Sequence, residues 1–166
     1  MNNASHISLS GKRALVTASS QGIGEAIAVG LARAGSSVAV NYHSSEQAAR
    51  ETVARCEAHG PGHIAVHGDA LEEANTIWTA ASEEMGRPPN ILVCNYGPFH
   101  FGKVSDMSAN EFESIVSANL FSAHRMVARA LPDLCPGGTI ILIGLSCVAD
   151  ELQAAPNVAP YAIGKA

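Results

Sequence analysis

Short, continuously apolar runs alternate with longer stretches of helical periodicity along nearly the whole chain. No other feature constrains the fold as tightly. Arg13-Ala14-Leu15-Val16-Thr17, Val38-Ala39-Val40-Asn41-Tyr42, His63-Ile64-Ala65-Val66-His67, Ile91-Leu92-Val93-Cys94 and residues 139–143 read as five strands. Between them, Ile23, Ile27, Leu31 and Ala34 recur at helical spacing, with Gly35 as a C-cap. A second helix is expected over about residues 45–59, capped by Ser44 and Gln47. Leu71, Ala74, Ile77, Trp78, Ala81 and Met85 mark a third helix. Phe112, Ile115, Val116, Leu120, Ala123, Val127, Ala130, Leu131 and Leu134 mark a long fourth one, opened by a Ser108/Glu111 capping pair and tightened or kinked near its end by Pro132. Strands that are apolar on both faces and alternate with helices belong in a parallel sheet covered on both sides. Right-handed crossovers then give a doubly wound, Rossmann-like α/β domain with strands ordered 3-2-1-4-5.

Composition excludes several classes of function. The 166 residues are 47% hydrophobic and 15% charged, enough to bury a core and too apolar for a disordered chain. The net charge of −5 is the wrong sign for a nucleic-acid binder. The longest apolar run, Ile140-Ile141-Leu142-Ile143, is too short to span a bilayer, and Met1–His6 has neither a basic nor an apolar signal region. Four scattered cysteines, Cys56, Cys94, Cys135 and Cys147, form no C-x-x-C pair, which points to reduced thiols and a cytoplasmic setting. His59, His63 and His67 have metal-face spacing, but Pro61-Gly62 breaks any helix between them, so no metal site is expected.

The chemistry starts where the first strand meets the first helix. In Thr17-Ala18-Ser19-Ser20-Gln21-Gly22-Ile23-Gly24, Gly22 lets the backbone approach a phosphate and Gly24 lets the helix pack tightly on the sheet. Free N–H groups and the helix dipole favour an anion there, and the absence of a following G-K-[ST] disfavours a nucleoside-triphosphate loop. Thr17, Ser19, Ser20, Gln21, Gly22, Ile23 and Gly24 are therefore candidate contacts for a dinucleotide pyrophosphate. After the second strand, Asn41-Tyr42-His43-Ser44-Ser45 holds no acid until Glu46. A carboxylate there would hold the ribose 2′-hydroxyl of NAD and repel the 2′-phosphate of NADP, so Asn41, His43 and Ser44 favour NADP(H) over NAD(H).

From Lys12 to Ala166 the chain resembles the short-chain dehydrogenase/reductase family. The glycine turn matches the family's T-G-x-x-x-G-x-G at Thr17, Gly22 and Gly24, with Ala18 in place of the first glycine. If that position needs positive φ, alanine costs about 1 kcal/mol; if φ is negative it costs almost nothing. Cys94-Asn95-Tyr96-Gly97 matches the family's N-N-A-G at Asn95 and Gly97, which the resemblance places along the cofactor cleft. It places Asp69 and Ala70 near the adenine; a helix N-cap is the alternative for Asp69. Pro98-Phe99-His100-Phe101-Gly102 follows the fourth strand, and Phe99, His100 and Phe101 are expected to border a substrate pocket, with a plain surface loop as the alternative.

Asn119 interrupts the apolar stripe of the fourth helix. A buried amide there needs partners, and the resemblance makes it the catalytic asparagine of a proton relay, against the alternative of a satisfied structural amide. Tyr161-Ala162-Ile163-Gly164-Lys165 reproduces the family's Y-x-x-x-K, and i, i+4 spacing puts phenol and ammonium on one helical face. The resemblance makes Tyr161 the proton donor–acceptor and Lys165 its activator and a ribose ligand. Ser146, the serine in reach after the fifth strand, is the candidate that orients the carbonyl. The implied activity is NAD(P)(H)-dependent interconversion of a carbonyl, such as a ketone or 3-oxoacyl-like group, with a secondary alcohol. The alternative is a dinucleotide-binding module without turnover. The resemblance further implies that the domain is incomplete on its C-terminal side just past Lys165. The Tyr–Lys helix is then shorter than an isolated helix needs, and the fifth strand is an open sheet edge. A homo-oligomer is expected of a complete chain and not of this one. The expected partners are a small-molecule carbonyl or alcohol, with no nucleic acid and no membrane.

Overall fold

The computed structural model describes residues 7–134, 137–145 and 157–165. Strands β1 (Arg13–Val16), β2 (Ser37–Tyr42), β3 (Ile64–His67), β4 (Ile91–Cys94) and β5 (Thr139–Leu142) alternate with helices α1 (Gly22–Arg33), α2 (Glu46–Glu57), α3 (Ala74–Glu84) and α4 (Ala109–Ala130), and α5 (Ala159–Lys165) follows β5. A 3-10 turn at Val104–Asp106 precedes α4. Every strand pairing is parallel, and the order is β3-β2-β1-β4-β5, the doubly wound order expected from the sequence.

The pleat divides the strand residues between two cores. Leu15, Ala39, Val66 and Leu92 pack with Ala74, Ile77, Trp78, Ala81, Met126 and Ala130 of α3 and α4. Ala14, Val16, Val38, Val40, Ile91 and Val93 pack with Ala28, Ala32, Ala49 and Cys56 of α1 and α2. Trp78 is fully buried, and its indole N–H donates to Asp133 Oδ2 at 2.8 Å, which also accepts from Arg129 at 2.7 Å. These layers leave the carboxyl ends of β1, β2 and β4 facing the loops that carry the candidate residues.

Strand ends shift by a residue, and three helix ends differ from the sequence expectation for reasons the contacts show. The cap of α2 is Ser45, not Ser44: its hydroxyl accepts from Ala48 N–H at 3.3 Å. With alanine three residues on, no capping box forms, and Gln47 bonds Glu51 instead. Helix α3 starts at Ala74 because Asp69 and Glu73 first close a turn: Leu71 N–H donates to Asp69 Oδ1 at 2.7 Å and Asp69 N–H to Glu73 Oε2 at 2.8 Å. Helix α4 has the expected Ser108/Glu111 capping box but ends at Ala130 rather than running to Leu134. Leu131 itself keeps helical angles, φ −51° and ψ −42°, and donates its N–H to the Val127 carbonyl at 3.0 Å; Pro132 after it has no N–H to continue the ladder.

β5 lies at the sheet edge and pairs with β4 alone among the described residues, leaving Ile141 and Leu142 exposed. Helix α5 is supported by α4. Gly164 faces Asn119 so closely that a Cβ there would lie 2.5 Å from Asn119 Cβ.

Candidate functional site

The turn from β1 to α1 is clamped by two asparagines. Ala18 stands at φ +48°. Its N–H donates to Asn41 Oδ1 at 3.0 Å, and its carbonyl accepts from Asn95 Nδ2 at 3.1 Å. Asn95 Nδ2 also donates to the Thr17 carbonyl at 3.1 Å. Thr17 Oγ1 accepts from the N–H groups of Asn95 and Tyr96 at 2.9 and 3.1 Å, and Ser19 Oγ donates to the Val16 carbonyl at 2.7 Å. Thr17, Ser19 and Asn41 are buried, and their side chains are engaged in holding the turn. The open part lies further on. Gln21, Gly22 and Ile23 are exposed, and Gln21, the N-cap of α1, provides no side-chain cap bond. The first N–H groups of α1 are thus uncapped by that side chain, which is the condition for an anion to sit there. Only glycine fits at position 24, because a Cβ would lie 2.5 Å from the Ala18 carbonyl oxygen and 2.7 Å from Asn95 Nδ2. The Ser20 carbonyl is taken up by the Thr52 hydroxyl at 3.0 Å.

At the ends of β2 and β3, Asn41 Nδ2 donates to the carbonyls of Val66 and Gly68 at 3.2 and 3.0 Å, which ties β2 to the chain leaving β3. His43 and Ser44 are exposed. The His67 ring stacks edge-on against Tyr42 at 5.3 Å, and its Nε2 lies 3.1 Å from the His43 carbonyl. The nearest acid along the chain, Glu46, is engaged by Arg50 at 2.6 Å. Asp69 is half-buried and uses one carboxylate oxygen in the turn before α3; Ala70 beside it is buried. Burial pushes the Tyr96 phenol up from its ordinary pKa, and the Asp69 charge adds to the shift.

Asn95, Gly97, Asn119 and Lys165 converge beyond β4. Lys165 Nζ donates to the Tyr96 carbonyl at 2.8 Å and reaches the Asn95 carbonyl at 3.4 Å. Burial lowers its pKa. Burial also pushes the neighbouring Cys94 thiol up to about 12. Asn119 Nδ2 donates to the carbonyls of Pro98 and Ile115 at 3.1 and 2.9 Å, whereas its buried Oδ1 has no partner among the described residues. A Cβ on Gly97 would fall on that oxygen and lie 2.8 Å from Lys165 Nζ, so the loop backbone passes between the two. Tyr161 is part-exposed one turn before Lys165, and the Phe99 ring lies edge-to-face against it at 5.1 Å and 77°. Ser146 lies outside the described residues.

The structure thus brings Asn119, Tyr161 and Lys165 to one edge, next to Asn95 and Gly97, with the Gln21–Gly24 turn along the same side of the sheet. The clamping roles of Asn41 and Asn95, the Tyr96 carbonyl as lysine acceptor and the Phe99–Tyr161 pair were not visible in the sequence. Only Asn41 left a trace there, as a polar residue in an otherwise apolar strand. Among the described residues no cluster of potential metal ligands occurs, and no helix is long and apolar enough to cross a membrane.

Residues 12–166 match the family model described as short chain dehydrogenase. The chain is 34% identical over 161 residues to a hydroxynaphthalene reductase-like protein, Arp2, of Metarhizium guizhouense, covering 96% of this chain and 59% of that protein. A dehydrogenase/reductase of Sinorhizobium meliloti superposes with a TM-score of 0.87 at 31% identity, over 96% of this chain and 63% of the other. The landomycin C-6 ketoreductase LanV, with bound NADP and rabelomycin, gives 0.84 at 30% identity, over 95% of this chain and 66% of its own. The chain therefore spans about three-fifths of the length of these relatives.

Proposed function

The chain belongs to the short-chain dehydrogenase family, and on that footing we propose that it is an NADP(H)-preferring oxidoreductase interconverting a ketone or similar carbonyl with a secondary alcohol. The observation that carries this reading is the convergence beyond β4: a half-buried Lys165 ammonium, an Asn119 Oδ1 without a partner among the described residues, and the Tyr161 phenol one turn away. The uncapped start of α1 and the close approach at Gly24 fit the diphosphate of a dinucleotide. A nicotinamide bound there would supply hydride to the carbonyl carbon, or accept it in the reverse direction. Tyr161 delivers the proton to the carbonyl oxygen as the C–O double bond becomes single, and takes it back in oxidation. Lys165 follows Tyr161 one turn later on the same helix, at i, i+4 spacing. Lys165 and Asn119 hold the relay behind the phenol, and Ser146 orients the carbonyl.

The preference for NADP(H) rests on the turn after β2. It offers exposed His43 and Ser44, and its nearest acid is engaged by Arg50, so no free carboxylate there repels a 2′-phosphate. The NADP bound by LanV is in keeping with this. Titration with NADPH and NADH, followed by nicotinamide absorbance across a panel of ketones, tests the whole reading. NADPH binds more tightly than NADH, and Tyr161→Phe abolishes turnover while leaving NADPH binding intact. Full turnover in Tyr161→Phe refutes the mechanism. Binding without turnover in the parent chain leaves only a dinucleotide-binding module.

A further inference from the structure

The loop leaving β4 carries two aromatic side chains that the proton-transfer chemistry does not use. Phe99 and Phe101 are 65% and 71% exposed, a poor placement for two phenyl rings in water unless something covers them. The loop is not loose. Asn119 Nδ2 holds the Pro98 carbonyl at 3.1 Å, and Gly102 N–H donates to the Asn157 carbonyl at 2.7 Å, just before α5. His100 does not join the two phenylalanines. Its ring folds back on the loop, where a Cβ on Gly102 would lie 2.7 Å from a buried Nε2 that has no partner among the described residues. Of the three residues expected to border a pocket, His100 therefore packs inward and the two phenylalanines stay open. Phe99 is also registered on the chemistry, since its ring meets that of Tyr161 edge-to-face at 5.1 Å.

Resting on the reading of Tyr161 as proton donor, we infer that Phe99 is a specificity-determining residue and that the substrate is a flat, aromatic ketone. A carbonyl oxygen that reaches the Tyr161 hydroxyl brings the substrate skeleton alongside the Phe99 ring. Offset stacking on a phenyl ring rewards a planar aromatic partner, whereas a puckered saturated ring of the same size cannot stack. Phe101 adds a second exposed ring to the same loop.

Isothermal titration of the NADPH-saturated chain with α-tetralone and its saturated counterpart α-decalone isolates this contact. The two fused bicyclic ketones differ in the aromaticity of one ring. The parent chain binds α-tetralone roughly two- to tenfold more tightly than α-decalone, the range expected of one aromatic pair. Phe99→Leu brings the ratio to about one with the NADPH affinity unchanged, and Phe99→Tyr retains the preference. Equal affinity for the two ketones in the parent, an unchanged ratio in Phe99→Leu, or no ketone binding by a chain that does bind NADPH overturns the inference. A chain that fails to bind NADPH overturns the cofactor reading on which it rests.

Discussion

Replacing Ala18 by glycine should stabilise this protein. Among the described residues Ala18 is the one non-glycine residue with positive φ, at +48°. An L-residue in that region costs roughly 1–2 kcal/mol, because Cβ crowds the following carbonyl oxygen. The conformation is imposed from both sides: Asn41 Oδ1 takes the Ala18 N–H at 3.0 Å, and Asn95 Nδ2 takes its carbonyl at 3.1 Å. At about 1 kcal/mol net for each such bond, the two offset the strain and keep the backbone from relaxing. Both bonds use backbone atoms of residue 18, so glycine keeps them and loses only the Cβ. Against this gain stands the greater freedom of glycine in the unfolded chain, about 0.5–1 kcal/mol. The balance is a stabilisation of about 0.5–1 kcal/mol, or a melting shift of about 1–4 °C for a domain of this size. Urea unfolding should show a higher midpoint with an unchanged slope. Gly22→Ala, at φ +65°, should shift the midpoint the other way. A midpoint in Ala18→Gly that falls or stays put would mean that residue 18 does not hold the left-handed conformation, and the reasoning fails.

Two further outcomes follow from contacts near and far from the site. Gly97→Ala drives a Cβ into Asn119 Oδ1 and Lys165 Nζ, and overpacking of this kind costs about 1–3 kcal/mol. Thermal unfolding should register that loss, and NADPH affinity should fall as Lys165 is displaced; unchanged values in both would show that the loop yields freely. His63 is buried, and its Nδ1 accepts the Val38 N–H at 3.1 Å. Burial holds its pKa below the ordinary 6.5, so the unfolded chain takes up the proton first. This contribution to stability is complete above pH 6.5 and is lost as pH falls from there through the lower folded value. His63→Asn, which can accept the same bond without titrating, should flatten stability between about pH 7 and pH 5. A slope as steep as the parent's would assign the pH dependence to other groups.

The fold was legible because its signal is carried locally. Each strand is a run of apolar residues, and strands alternating with helices through right-handed crossovers leave only a few doubly wound orders. Capping was legible where a single serine preceded a glutamate at the right spacing, as at Ser108. It was ambiguous at Ser44-Ser45, where adjacent serines compete and only the geometry of the turn after β2 selects the second. Asn119 stood out in the sequence as a polar group in an apolar helical stripe, and Tyr161 and Lys165 as a match to the family's Y-x-x-x-K. The asparagine clamps were not legible, because their partners are backbone atoms 23 and 77 residues away in sequence, at Ala18. A main-chain acceptor has no letter in the sequence, and neither does the edge of a ring such as Phe99 against Tyr161.

The same distinction explains how the site keeps its geometry where the sequence leaves the family pattern. Ala18 and Tyr96 replace residues of that pattern, yet what each gives the site comes from its backbone. Lys165 is held by the carbonyls of Tyr96 and Asn95, which any side chain would leave in place. Ala18 offers its N–H and carbonyl to the clamps. The positions that cannot change are those where a missing Cβ makes room for a neighbouring side chain. Gly24 makes that room for Asn95, Gly97 for Asn119 and Lys165, and Gly164 for Asn119. Asn95, Asn119 and Lys165 thereby share one neighbourhood through steric room on three separate elements; among the described residues no hydrogen bond joins one of these side chains to another, and the one bond between the residues runs from Lys165 Nζ to the Asn95 carbonyl at 3.4 Å. A substitution that keeps the backbone, such as Tyr96→Phe, leaves that neighbourhood standing; one methyl group at any of the three glycines moves it.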